Sequence, residues 1–341
     1  MNDYKNYSLL RHNTFGIEAS CRRFLEYETA AEAAVAAQVI RESQLPHLVV
    51  GSGSNLLLVG SCYDGLVVHS AVRGIELVGG QSTSDEVLLR VGSGENWDDL
   101  VDYCVAHGYH GAENLSLIPG EVGASAVQNI GAYGAEAADL IYTVEAVEIA
   151  TGRLVVIDAA DCHYGYRQSR FKGEWSGRYL ITHVVYRLSR AFVPRLDYGN
   201  IRQELERKGI GTPTAAELRS VIIDIRRRKL PDPEQLGNAG SFFMNPVVER
   251  PLFERLLADN PAMPHYHVDD DHEKIPAAWL IDQCGWKGRS LGPAGVHTEQ
   301  ALVLVNRGGA TGQDVLRLCQ AIQADVLSRF GIMLRPEVNI V

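Results

Sequence analysis

Two stretches concentrate glycine where a backbone could close around an anion. Gly51, Ser52, Gly53, Ser54 and Asn55 run in succession, and residues 118–134 set Gly120, Gly123, Gly131 and Gly134 among small neighbours. Without a Cβ, backbone N–H groups can approach a phosphate or a flat ring closely, at an entropic cost that needs a reason. A tight strand–strand turn would account for the first stretch alone. A packed turn with a short helix would account for two glycines of the second, but not for four. Neither is a dinucleotide fingerprint: the third glycine of G-x-G-x-x-G falls on Leu56, and no helix is expected behind it to hold a pyrophosphate. No G-K-[ST] occurs, so a P-loop is excluded. Two such loops on a β-rich segment suit one large, extended ligand.

Three polar residues stand in unusual settings. Arg167 lies between strand-like segments, Ser241 follows Gly240 and precedes Phe242 and Phe243, and Glu337 follows Pro336 on an apolar tail. Each has an ordinary reading: a solvated cation, a turn serine and an edge gatekeeper. No G-x-S-x-G frames Ser241, so a hydrolase elbow fails. Arg226, Arg227, Arg228 and Lys229 form the densest positive run, which would also complement a helix dipole. His265, His267 and residues 269–272 are spaced too irregularly for metal ligation, and no metal is expected.

The elements that would position these residues follow from pattern. Thr29 and Glu32 make a capping box for an Ala-rich helix that stops before Pro46. Residues 48–50 and 56–59 read as short strands flanking the first glycine loop. Asn96 or Asp98 starts a second helix, ended by Gly108. Residues 141–190 alternate β-rich runs with turns, as antiparallel sheet does. Thr212 and Pro213 are expected to open a third helix with Leu218, Val221, Ile222 and Ile225 on one face. Thr311 to Phe330 makes a final helix closed by Gly331, and residues 334–341 read as a strand. The main break is expected at residues 190–215, where hydrophobic periodicity lapses.

A chain of 341 residues exceeds what one core usually serves, so two or more domains are expected. With 46% hydrophobic and 22% charged residues it is an ordinary globular chain. Net charge is −10, which argues against nonspecific nucleic-acid or anionic-membrane binding. No apolar run approaches the roughly 20 residues of a membrane helix, and the first residues lack the apolar stretch of a secretory signal. Six dispersed cysteines without C-x-x-C argue for free thiols in a reducing cytoplasm.

The residues also carry a family resemblance. Asn13-Thr14-Phe15, residues 50–56, residues 118–134, Tyr166-Arg167-Gln168-Ser169, residues 229–233, residues 237–243 with Asn245-Pro246, residues 279–283, Lys287-Gly288 and Pro336-Glu337-Val338 resemble the UDP-N-acetylenolpyruvoylglucosamine reductases, in family order and over nearly the whole chain. The resemblance implies an α+β protein: a vanillyl-alcohol-oxidase-like (PCMH-type) FAD-binding fold plus a C-terminal α+β substrate domain. It divides the chain into residues 1–70 and 71–212 for FAD and 213–331 for substrate, with residues 332–341 returning to the site. It implies noncovalent FAD, NADPH as hydride donor and UDP-N-acetylglucosamine enolpyruvate as substrate, in a monomeric bacterial cytoplasmic enzyme of peptidoglycan synthesis.

The same resemblance assigns roles. Arg167 stabilises charge that develops on the enolpyruvyl carboxylate, Ser241 protonates the α-carbon, and Glu337 supports the enol intermediate or donates a proton. Flavin contacts fall on Gly51, Ser52, Gly53, Ser54, Asn55, Leu56, Pro119, Gly120, Gly123, Ala124, Ser125, Asn129, Gly131 and Arg226. Substrate contacts fall on Tyr198, Lys229, Asn245, Tyr266, Lys287 and Gln300, with Tyr198 on the closing loop of the longer family type. Asn339 departs from a family basic residue. Two other readings stand beside this one: a flavoprotein of the same fold that oxidises an alcohol, which leaves Arg167, Ser241 and Glu337 unexplained, and a noncatalytic nucleotide-sugar binder, which bleaching of a yellow protein by NADPH would exclude.

Overall fold

The computed structural model describes residues 1–79 and 84–341, which form two compact units. The first comprises residues 1–7, 21–52 and 64–226, and the second residues 8–20, 53–63 and 227–341. The chain leaves the first unit between Ser52 and Gly53, inside the first glycine loop, and re-enters it at Asp64.

In the first unit, a four-stranded sheet runs in the order Asn2–Ser8, Ser20–Tyr27, Cys62–Ser70, His47–Val50. The helix Ala30–Ser43 opens on Thr29, whose side chain accepts the N–H of Glu32, and ends at Gln44 in the left-handed region. Its Ala33, Ala36, Ala37 and Ile40 are buried with Leu25, Leu66 and Val68 of that sheet and with Val147 and Leu180 of the next. This next sheet has five strands in the order Leu154–Asp158, Ile141–Glu148, Tyr179–Ser189, Glu86–Gly92, Ile75–Leu77, antiparallel throughout. The helices Trp97–Ala106 and Val122–Gln128 bury Trp97, Leu100, Val122 and Ala126 in a core with its Leu89, Val144 and Val184.

The second unit centres on the sheet Asn238–Ser241, Val303–Asn306, Ala294–Val296, Ser290–Leu291. The helix Gly312–Phe330 covers it, capped by Thr311 and closed by Gly331 at φ 71. Phe15, Ile17 and Leu57 join the same core, which draws residues 8–20 and 53–63 into this unit.

Two expectations change. The third helix is Ala215–Lys229, and Thr214 rather than Thr212 caps it: Thr214 Oγ1 accepts the N–H of Glu217 at 3.2 Å while Glu217 returns a bond to the N–H of Thr214 at 2.8 Å. This reciprocal box outcompetes a start on Pro213. The runs 56–59 and 334–341 pair as strands only over Leu56–Leu57 and Asn339–Ile340, in parallel. Pro336 lacks an N–H for a longer ladder, and the chain there bonds instead to residues 242–244. In sequence, the last passage from one compact unit to the other falls at 226/227. Helices Ile201–Arg207 and Ala215–Lys229 bury Ile201, Leu205, Leu218, Val221 and Ile222 together, with Tyr133, Phe192 and Leu196 packed on them.

Candidate active site

The second glycine loop is built around Arg167. Arg167 sits at φ 55, and its Nη2 donates to Gly131 C=O at 2.5 Å and its Nη1 to Asn129 C=O at 3.3 Å. A Cβ on Gly131 would lie 2.7 Å from Nη1, so this glycine is required for the guanidinium to lie along the loop. Asn129, fully buried, spends its side chain on structure: it donates to Glu136 and to Gly165 C=O and accepts from Ala138 N–H. Ser125 likewise bonds Val122 C=O and Tyr186 Oη inside the core. Tyr198 is 52% exposed and stands edge-on to Tyr133, with ring centroids 6.4 Å apart.

The two glycine loops meet within the first unit. The Cβ position of Gly51 lies 3.6 Å from Ala124 Cβ and 3.0 Å from Glu121 Oε2. Gly123 donates to Ser93 C=O at 2.8 Å, and a Cβ there would overlap Ser93. Pro119 is exposed and Gly120 adopts φ 131. Ser52 Oγ is buried and has no hydrogen-bond partner among the described residues. A buried hydroxyl left so is costly, and a phosphate oxygen would complete it. Arg226, half-buried, donates to Leu117 C=O at 3.2 Å, and burial holds its pKa below the ordinary arginine value. A desolvated cation on the Leu117 carbonyl, an incomplete hydroxyl in the first loop and closely packed glycines suit a phosphate-bearing cofactor.

Behind these loops Glu121 is braced by a residue absent from every motif. Buried His69 places Nε2 3.1 Å from Glu121 Oε1 and Nδ1 3.0 Å from Glu26 Oε2. Burial lowers its pKa, but the hydrogen bonds and charges of Glu121 and Glu26 outweigh that and raise it above 6.5. Its contribution to stability is therefore complete below pH 6.5 and is lost as pH rises through the raised native value. The urea midpoints of wild type and His69→Gln should differ most near about pH 6 and converge toward about pH 9; a gap independent of pH would show that His69 packs as a neutral ring.

In the second unit, Ser241 ends the strand Asn238–Ser241 opposite Val303, past an irregularity at which Gly240 takes φ 69. Ser241 is exposed and Glu337 half-buried. The two are linked through backbone: Glu337 N–H donates to Phe242 C=O at 2.8 Å, and Phe243 bridges Pro336. Asn55 of the first glycine loop donates its side chain to Glu337 C=O at 3.4 Å, while Asn339 returns its own side chain to Asn55 C=O at 3.1 Å. The residue that departs from the family pattern thus ties the loop to the strand bearing Glu337. Gly53 and Leu56 are buried and Ser54 half-buried.

Of the substrate candidates here, Lys229 and Lys287 are exposed, and Tyr266 is exposed with Lys274 Nζ 5.7 Å from its ring centroid. Asn245 Oδ1 accepts Ala277 N–H at 2.9 Å at the start of helix Ala277–Gln283, and Gln300 Oε1 accepts Leu302 N–H at 3.3 Å. Both therefore have a structural task as well. Sequence reading missed His69, which no motif contains, and did not single out Glu121 although it lies within residues 118–134.

Comparison with known proteins places this geometry in a class. Residues 22–158 match a family model described as an FAD binding domain. Residues 232–341 match the model of the UDP-N-acetylenolpyruvoylglucosamine reductase C-terminal domain. The chain is 53% identical over 338 residues to the UDP-N-acetylenolpyruvoylglucosamine reductase of Bacteroides fragilis, covering 99% of each chain. It is 48% identical over 335 residues to that of Burkholderia multivorans, covering 97% of this chain and 95% of the relative. The crystal structure of the Thermus caldophilus reductase matches in fold with a TM-score of 0.67 at 24% identity, over 99% of this chain and 98% of that one. The chain belongs to the UDP-N-acetylenolpyruvoylglucosamine reductase family.

Proposed function

We propose that this protein reduces UDP-N-acetylglucosamine enolpyruvate to UDP-N-acetylmuramate with NADPH, using noncovalent FAD held by the two glycine loops and Arg226. The observation that carries the reading is family membership over the full chain, joined to a buried, incomplete Ser52 hydroxyl within the first loop. FAD held there would supply the hydride chemistry that links NADPH to the methylene carbon of the enolpyruvyl ether. The chain's own residues handle the charge and the proton. Arg167, fixed on Gly131 and Asn129 carbonyls, offers its cation to the substrate carboxylate as charge develops. Ser241 delivers a proton to the α-carbon, and Glu337 supports that transfer. Tyr198, Lys229, Asn245, Tyr266, Lys287 and Gln300 bind the nucleotide sugar. Residues 1–70 and 71–212 serve FAD and residues 213–331 the substrate, with residues 332–341 contributing Glu337.

Among the described residues no helix is long and apolar enough to cross a membrane, and we place the enzyme in the bacterial cytoplasm as a monomer. The purified protein should be yellow, bleach with NADPH and release unmodified FAD on denaturation. Initial-rate plots for NADPH and the enolpyruvyl sugar should be parallel; a colourless protein, or one indifferent to NADPH, would overturn the reading. Tyr198→Phe should weaken binding of the sugar nucleotide by about 1–2 kcal/mol while leaving flavin reduction by NADPH unchanged. Stopped-flow traces in which both half-reactions slow equally would assign Tyr198 another role.

A further inference from the structure

The segment entering the second glycine loop is gripped by side chains that no motif contains. Asp98, in the first turn of helix Trp97–Ala106, accepts the N–H of Leu117 on Oδ1 at 2.6 Å. Trp97 N–H donates to Gly120 C=O at 3.1 Å, so one helix end holds both sides of residues 117–120. Leu117 has φ 57, a left-handed conformation that residues with a Cβ rarely adopt. Its carbonyl accepts Arg226 Nε at 3.2 Å. Arg219, only 9% exposed, lays its fork on the Asp98 carboxylate, with Nη1 3.0 Å from Oδ1 and Nη2 3.2 Å from Oδ2, while Nε reaches Asp102 Oδ1 at 3.2 Å. A bidentate guanidinium both orients a carboxylate and neutralises it. That neutralisation matters beside a site for an anionic cofactor.

We propose that Asp98, clamped by Arg219, is a positioning residue for the cofactor: it holds Leu117 left-handed, which sets Pro119, Gly120 and Arg226 for FAD. The inference rests on the reading of residues 118–134 and Arg226 as FAD contacts. Asp98→Asn keeps the side-chain shape but gives up the charged acceptor and the ion pair. Glycine at position 117 adopts the left-handed region freely, whereas a β-branched residue resists it.

The test is the rate of FAD release from diluted holoenzyme, followed by the rise in free-flavin fluorescence. Asp98→Asn should release FAD about tenfold faster or more, the loss of one charge-assisted hydrogen bond. Adding Leu117→Gly to Asp98→Asn should restore most of the wild-type rate, and adding Leu117→Val should not. Such rescue by glycine would not follow if Asp98 merely stabilised the fold. If Asp98→Asn does not fold, the single variants decide: Leu117→Val should speed release and Leu117→Gly should not. Equal release by the valine and glycine variants, or by wild type and Asp98→Asn, would overturn the proposal. A wild-type protein that holds no FAD would instead overturn the reading of the loops on which it rests.

Discussion

Ser241→Ala should retain its FAD and its NADPH-driven flavin reduction while turnover of the enolpyruvyl sugar falls by several orders of magnitude. Hydride entering the flavin needs no protein acid, but forming the new C–H bond at the α-carbon does. One general acid is usually worth about 10²–10⁴, and exclusion of water from the site would remove the substitute donor and deepen the loss. Ser241 is exposed at a strand end, and the next residue's carbonyl accepts the N–H of Glu337 at 2.8 Å. Ser241→Cys should recover part of the rate, because a thiol is the stronger acid in nearly the same place. Glu337→Ala and Arg167→Ala should also slow this half-reaction, without rescue by a thiol. An Ala variant whose flavin is reoxidised by substrate at near wild-type speed would reduce Ser241 to a turn residue.

Gly53→Ala should cost several kcal/mol and strip the protein of flavin. Gly53 has φ 73, where an L-residue is strained by about 1–2 kcal/mol. Its Cβ would fall 2.0 Å from His12 C=O, and backbone gives way less readily than a side chain. Its neighbours are pinned: Thr14 N–H donates to Gly53 C=O at 3.3 Å, and Asn13 bonds Leu9 and Ile17 through both ends of its amide. Overpacking of this kind adds about 1–3 kcal/mol. Gly209→Ala is the control, since Gly209 has φ 71 with nothing within 4 Å and bears the conformational cost alone. Thermal unfolding should separate the two; equal melting would show that the 8–20 segment yields.

What the sequence conveyed follows the range of the forces involved. The starts at Thr29 and Thr311, a helix start at Asn96 or Asp98, and the closing Gly331 were legible because a cap is satisfied within four residues. The antiparallel run after residue 141 was legible from its turns. Thr214 was misplaced by two positions because Pro213 offered a competing local signal. The glycine loops announced a ligand through composition alone, and chemistry for Arg167, Ser241 and Glu337 required the family resemblance. Illegible were the partners brought from afar: His69 to Glu121, Arg219 to Asp98, and Asn55 to Glu337. Each is an ordinary polar residue in its own neighbourhood, and its meaning is set by packing that local pattern does not encode.

The parallel pairing of Leu56–Leu57 with Asn339–Ile340 has a consequence for how the protein is made. Asn55 and Asn339, 284 positions apart, cannot bond until the ribosome has delivered the later one. At about 5–20 residues per second, the first glycine loop waits on the order of 15–60 s for its partner strand. Through that interval residues 53–63 and the apolar Leu56, Leu57 and Leu58 are without the core that buries them, and are open to chaperones. The first unit can assemble most of its sheets from residues already synthesised, whereas the loop that leads out of it is completed by nearly the last residues of this sequence. Cofactor capture that needs this loop would then wait until Asn339 and Ile340 have emerged.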